Sequence, residues 1–401
     1  MSTMDFQIHN DPIPFVKNEQ EGLSTYLCFL SGDQVASLYE QFGPKLFARA
    51  ARGVQSGRGF GWRRRIGETI AENPSLFQAF NKGIVLVASD VELSAQNGHP
   101  SGLVKLSDIS VIDGAQTIGA LFYSQKLRHV DISKVVVPVK VLCGRYIGRN
   151  ALFLADASIR LNTSDRSRPF IDLYGASPFA QSLSAVSLST PSPTNGTFWF
   201  LETSHGAFEE FRRYRSIGSC RQQREIRLRF PLDQKIDLKT MSTIILSWDG
   251  RPQLCMRGSI LSCRDYFREI DCEQPASELF FKELVSRVIL FHSFQRIKRS
   301  LSQVYLPSGF LFSCMAYLNF ASCNRLNLLA IWERQGTTLE LDEALNSIVS
   351  IVRERITADE RSSSMRAMNV WLRSEEKQRG LLSSPIPRAL QEALRPFLRT
   401  D

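Results

Sequence analysis

Asp113, Gly114, Gln116 and Thr117 stand together in DGAQT, directly after the β-branched pair Val111-Ile112 and before an apolar-periodic stretch from Ile118. This order predicts a strand, a tight turn and a helix. Unsatisfied amide N–H groups at a helix start, together with the helix dipole, attract anions. Gly114 would let backbone approach closely, and Gln116 and Thr117 would add amide and hydroxyl contacts to a phosphate. The same residues also fit an ordinary helix start with Asp113 as N-cap. The pattern alone leaves both readings open.

Two further groups have a similar position. FNKGIVL (residues 80–86) sets Asn81, Lys82 and Gly83 as a turn before a strand, with Gly83 suited to positive φ. In SIRLNTSDRSRPF (residues 158–170) a helix ends at Asn162, and Arg166 and Arg168 follow in a polar turn. All three groups fall at ends of elements, where ligand sites of α/β proteins form. Asn81, Lys82, Gly83, Asp113, Gly114, Gln116, Thr117, Asn162, Arg166 and Arg168 are therefore the candidate ligand-binding residues, and a nucleotide is the cofactor class they would suit.

The net charge is +9 over 401 residues, which favours an acidic partner, nucleic acid being the commonest. The excess is local. GVQSGRGFGWRRR (residues 53–65) and EEFRRYRSIGSCRQQREIRLR (residues 209–229) are rich in arginine and interleave aromatic residues. Arginine suits bidentate phosphate contacts, and aromatic rings suit base stacking. Arg63, Arg64, Arg65, Arg212, Arg213, Arg215 and Arg224 are the candidate nucleic-acid contacts, joined by Arg52 just upstream. A merely solvated basic face fits the same composition.

Other chemistries lack support. The eight cysteines form no CxxC pair, the five histidines are scattered, and HExxH is absent, so no metal site is expected. GxSxG and the P-loop pattern are missing, and no catalytic residue stands out. SEEKQRG (residues 374–380) has the carboxylate-x-Lys spacing of some nucleases but lies in a charged helical stretch, and reads as a solvated helix face. No apolar run reaches the roughly 18 residues of a membrane span, and the first residues lack the basic and apolar regions of a signal peptide. A cytoplasmic protein without a membrane partner is the expectation.

These groups need a scaffold. DQVASLYEQF has helical spacing, GETIAENPSLFQAF a helix interrupted near Asn73-Pro74, and NKGIVLVASDVEL a strand. LVKLSDISVI and VVVPVKVLC add strands, and NALFLADASIRLN another helix. Strands and helices alternate to about residue 190, which predicts an α/β (or α+β) domain over residues 1–190. SLSTPSPTNGTF (residues 187–198) is a composition break, a linker or long surface loop. Beyond it, residues 191–401 comprise the Arg-rich connecting region and segments with broad apolar faces at three and four spacing, such as LDEALNSIVSIVRERI, which predict a mainly α-helical domain.

Read together and in order, several of these segments resemble the AIPR family, the abortive-infection phage-resistance proteins. LFARAARG is similar to the family's Leu-Phe-x-x-Asn-x-Arg stretch, with Arg52 matching and Ala50 in place of Asn. FNKG resembles Phe-Asn-Asn-Gly, with Lys82 for the second Asn. VIDGAQT resembles Val-Asn-Gly-x-Gln-Thr, with Asp113 for Asn. Asn162, Asp172, Pro178 and Phe179 fit the next segment, where Ser164 replaces a Gln. FWFLETSHGAF keeps Glu202 and Gly206 of a Tyr-Glu-Arg-x-x-Gly box, and FKELVSRVILF and LNLLAIWERQ, with Trp332, resemble the helical half. The likeness spans residues 45–375. The Asp113 turn also resembles, more distantly, the DGQHR turn of DndB-like proteins and the nucleotide-gripping turn of ParB and sulfiredoxin, with Thr117-Ile118 where those carry His-Arg.

The resemblance implies an anti-phage defence protein, a nucleic-acid- or nucleotide-binding component of a restriction-like system, with other defence proteins as further partners. A nuclease or nucleotide hydrolase is the competing reading, and a protein-binding sensor subunit a third. An enzyme would gather acidic residues such as Asp165, Asp172 or Glu202 near the Asp113 turn to hold a divalent ion. A binding module would show arginines without them.

Overall fold

The computed structural model describes residues 4–8, 11–47, 61–96, 99–144, 157, 161, 174–301, 306–307, 309–358 and 364–399, with backbone alone at 61–64 and 96. The chain divides into two compact units, one of Met1–Gln181 and Glu202–Leu228, the other of Ser182–Leu201 and Arg229–Asp401. The Arg-rich segment up to Leu228 thus groups with the first unit, and the expected boundary at 190 falls inside the segment Ser182–Leu201.

In the first unit the described strands are β1 (Phe6–Gln7), β2 (Phe15–Gln20), β3 (Leu23–Ser31), β4 (Ile84–Ala88), β5 (Asp90–Gln96), β6 (His99–Ser107), β7 (Ser110–Asp113) and β8 (Val136–Gly144). They form a five-stranded sheet in the order β2-β3-β8-β4-β7 and a three-stranded sheet β1-β6-β5. All pairings are antiparallel except β4 with β8. Along β8 the β-branched residues Val137, Val139 and Val141 point into the core, as period-two alternation demands. They meet helices α1 (Gly32–Phe42) and α4 (Ala115–Arg128). Helix α1 starts with a capping box written in its sequence: Ser31 Oγ accepts from Gln34 N and Gln34 Oε1 from Ser31 N. Helix α2 (Gly61–Glu72) ends as expected before Asn73-Pro74, and α3 (Phe77–Phe80) leads into the Asn81 turn.

One expectation is corrected. NKGIVLVASDVEL is two strands in two sheets, β4 and β5, separated at Ser89; LVKLSDISVI is likewise β6 and β7. The pairs β4–β7 and β5–β6 form one long hairpin bent at Ser89 and Asp108. Asp108 takes a left-handed φ of 45°, and its N–H donates to Asp5 Oδ1 at 3.1 Å. The bend lets one hairpin serve two sheets, which hydrophobic alternation cannot announce.

Along helix α5 (Pro178–Ser189) the chain passes from the first unit into the second, and at the end of the short strand β9 (Phe200–Glu202), which pairs with β10 (Lys235–Asp237), it passes back. Helices α6 (Ala207–Arg215) and α7 (Cys220–Arg229) carry the Arg-rich segment, which returns to the first unit. The second unit is mainly helical, as predicted. Its helices are α8 (Leu238–Trp248), α9 (Pro252–Cys255), α10 (Ser259–Glu269), α11 (Glu278–Ser300), α12 (Phe310–Ala321), α13 (Leu328–Arg334), α14 (Leu339–Thr357), α15 (Met365–Arg373), α16 (Glu375–Leu382) and α17 (Arg388–Leu394). Side chains cap the starts of α8, α11, α13 and α14: Asp237, Ser277, Asn327 and Thr338. Helix α8 is buried along nearly its whole length, and Phe281, Phe294, Phe310, Tyr317 and Trp332 fill the core around it. In α16, Glu375 pairs with Arg379 on a solvated face, but Gln378 turns inward, 1% exposed, and bonds to Ser313. All eight cysteines are free thiols, with Cys28, Cys255, Cys263 and Cys314 buried. Among the described residues no helix is long and apolar enough to cross a membrane, and no group of three or more His, Cys, Asp or Glu is placed to hold a metal ion.

Candidate functional site

The turn at Asn81 and the turn at Gly114 meet at one end of the five-stranded sheet, because β4 begins where its antiparallel neighbour β7 ends (Val85 opposite Asp113). The Asn81 amide donates to Thr117 Oγ1 at 3.1 Å, and Thr117 Oγ1 lies 3.2 Å from Asn81 Oδ1. Asn81 Oδ1 also accepts from Gly83 N at 2.8 Å, closing its own turn. Lys82 Nζ pairs with Asp113 Oδ2 at 2.7 Å, the lysine two-thirds exposed (66%) and the aspartate 11% exposed. Asn81, Lys82, Gly83, Asp113, Gly114 and Thr117 therefore form one connected cluster, with Gln116 on the first turn of α4.

Both glycines have steric reasons inside the protein. Gly83 has φ 84°, and a Cβ there would sit 2.1 Å from the Pro138 carbonyl oxygen of β8. Gly114 has φ 92°, and a Cβ would sit 2.6 Å from Ile84 Cγ2. The close backbone approach that Gly114 permits is thus, first of all, an approach to β4.

Asp113 is not the N-cap of α4. It is the last residue of β7, Gly114 holds the cap position, and no side chain caps the helix. The Asp113 carboxylate instead accepts from Gly114 N at 2.8 Å through Oδ1 and holds Lys82 through Oδ2. The reason is register. Asp113 still pairs with Val85, so its side chain follows the sheet and never turns back over the helix.

The second candidate group is the Arg-rich pair α6 and α7. Here the interleaved aromatic rings, expected to stack on bases, are engaged within the chain. Phe208 is fully buried, and the guanidinium groups of Arg212, Arg213 and Arg215 lie 5.4, 3.5 and 5.6 Å from the ring centres of Phe208, Tyr123 and Phe211. Burial, then the neighbouring Arg227, lowers the pKa of Arg212 below the usual guanidinium range. Helix α7 has no buried residue; Arg221, Arg224 and Arg227 are exposed along it, as is Arg65 on α2.

The sequence gives no sign of what docks α6. Glu210 is 2% exposed, and Tyr39 of α1 and Tyr123 of α4 both donate their hydroxyls to its Oε1, Tyr123 at 2.6 Å. Burial, and then the Glu210 carboxylate, raise both tyrosine pKa values. In EEFRRYR nothing distinguishes Glu210 from a solvated acid; only its tyrosine partners do. Glu202 is also structural, since its Oε1 accepts from Gly206 N (3.0 Å) and Phe208 N (3.2 Å) at the start of α6. Arg52, Asn162, Asp165, Arg166, Arg168 and Asp172 lie outside the described residues, as do the side chains of Arg63 and Arg64.

The AIPR protein family matches residues 49–360 of the chain. That span contains both turns, the Arg-rich helices, Glu202 and Gly206, and most of the helical unit. No curated protein matches, and no solved structure does. With a match over most of its length, this chain belongs to the AIPR family, and that membership implies a role in abortive infection, a defence against phage.

Proposed function

We propose that the protein serves bacterial anti-phage defence as a cytoplasmic nucleic-acid-binding component, with α6 and α7 as its contact surface. The observation that carries this reading is the unbalanced charge of those helices. The two helices carry seven arginines against Glu209, Glu210 and Glu225; Arg221, Arg224 and Arg227 are exposed on a helix with no buried residue, while Glu210 is committed to Tyr39 and Tyr123. Arg212 already bears the cost of burial beside Arg227. A phosphate backbone would relieve that repulsion and release counterions.

The same reading places a phosphate, of nucleic acid or of a nucleotide, at the start of α4. Supporting it are the absence of a side-chain cap there and the exposed Lys82 ammonium beside Asp113. The helical second unit would then be available to other defence proteins.

Fluorescence anisotropy with labelled single-stranded DNA, duplex DNA and RNA, at about 50 and 200 mM salt, tests the main claim. Affinity should fall steeply with salt. Replacing Arg221, Arg224 and Arg227 together by Gln should flatten that dependence, by about 0.9 in log–log slope for each duplex phosphate that the variant no longer neutralises. No binding of any of the three at low salt would overturn the reading.

A further inference from the structure

We propose that the free edge of β2 pairs with β2 of a second copy of this chain, joining two five-stranded sheets into one. Strand β2 ends the order β2-β3-β8-β4-β7, so among the described residues its outer edge has no strand partner. Five of its six residues, Val16 to Gln20, are exposed. Between Phe15 and Gln20 there is no proline and no glycine, and the ladder to β3 runs without a bulge from Phe15–Cys28 to Gln20–Leu23. Proline and bulges are two of the usual devices that blunt an edge; a third, charge, is present as Lys17 and Glu19, so the edge offers its N–H and C=O groups to a strand whose charges match it.

The side chains select the occupant. In an antiparallel pairing about a two-fold axis at Asn18, Lys17 of each copy stands opposite Glu19 of the other, Val16 opposite Gln20, and Asn18 opposite itself. Centring the axis on Lys17 or on Glu19 would instead set like charges face to face. The chosen register also keeps the residues of each sheet face on that face, because the paired numbers differ by an even count. Within one chain Lys17 and Glu19 pair with each other at 2.6 Å, with Glu19 56% exposed and Lys17 lying 5.8 Å from the Tyr26 ring centre. Both charges already stand on one face of the edge, so the dimer exchanges two pairings within the copies for two across the seam. The edge is thus complementary to itself.

Sedimentation velocity of the full-length chain over a concentration series, with circular dichroism to confirm folding, tests this. The wild type should show a concentration-dependent dimer. Lys17→Glu should weaken the dimer at least tenfold by setting Glu against Glu, and Lys17→Glu with Glu19→Lys should restore it, since the swapped pair is again self-complementary. A wild type that stays monomeric to about 100 μM, or a dimer indifferent to Lys17→Glu, would overturn the proposal. A double variant that fails to recover while folded would overturn it equally.

Discussion

Asn81 and Thr117, 36 residues apart, hold their two turns together through one amide and one hydroxyl, at 3.1 and 3.2 Å. Thr117 is buried and Asn81 half-buried, so the contact sits at the rim of the core where turn chemistry and packing meet. It directly ties together two segments whose polar residues stand 36 positions apart in the chain.

Thr117→Val keeps the volume and removes the hydroxyl. Stability should fall by about 1 kcal/mol, the net worth of a side-chain hydrogen bond, while Thr117→Ser should retain most of it. Urea melts of the three proteins measure this. A valine variant as stable as wild type would mean the contact is incidental.

Glycine is demanded at 83 and 114 by neighbouring atoms. Gly83→Ala would push a Cβ to 2.1 Å from the Pro138 oxygen, and Gly114→Ala to 2.6 Å from Ile84, both at positive φ. Each should cost about 2–4 kcal/mol from strain and overpacking. Gly196→Ala, at φ 66° with open space around it, should cost only about 1 kcal/mol. Equal costs at all three positions, in denaturant titrations, would contradict the steric argument.

Lys82 separates a ligand role from a structural one. The Lys82 ammonium is two-thirds exposed, and the Asp113 carboxylate, 11% exposed, keeps the Gly114 N–H as a partner, so Lys82→Met should cost no more than about 1–2 kcal/mol. If its ammonium meets a phosphate at the start of α4, phage resistance in a plating assay should drop at least tenfold in the stably folded variant. Undiminished resistance would reduce Lys82 to a surface partner of Asp113.

Alkaline pH should unfold the protein through its buried acids. Burial raises Tyr39 and Tyr123 above the ordinary tyrosine value of 10.0, and pushes Cys28 and Cys255 up to about 12 from 9.0. A folded pKa above the unfolded one means the stabilisation is complete below the unfolded value and fades as pH rises past it. Stability should therefore decline from about pH 9 for the thiols and from about pH 10 for the tyrosines. Denaturation midpoints between pH 8 and 11 would show it, and a flat profile would count against burial of these groups.

Much of the scaffold is legible in the sequence because it is local. Ser31 and Gln34 spell a capping box, Val137, Val139 and Val141 alternate as a strand must, and LDEALNSIVSIVRERI repeats at helical spacing; each signal acts within a few residues. Turn chemistry at Asn81-Lys82-Gly83 and Asp113-Gly114 is legible for the same reason, down to the positive φ of Gly83. Tertiary structure alone decides the rest. It puts Asp113 in a strand instead of a cap, because backbone pairing with Val85 fixes where its side chain points. It divides NKGIVLVASDVEL between two sheets, and turns Glu210 from an apparent surface acid into a buried acceptor for Tyr39 and Tyr123. In each case the deciding partner is distant in the chain. A residue's own neighbours determine its backbone preference, but only the assembled sheet and helices determine what its side chain meets.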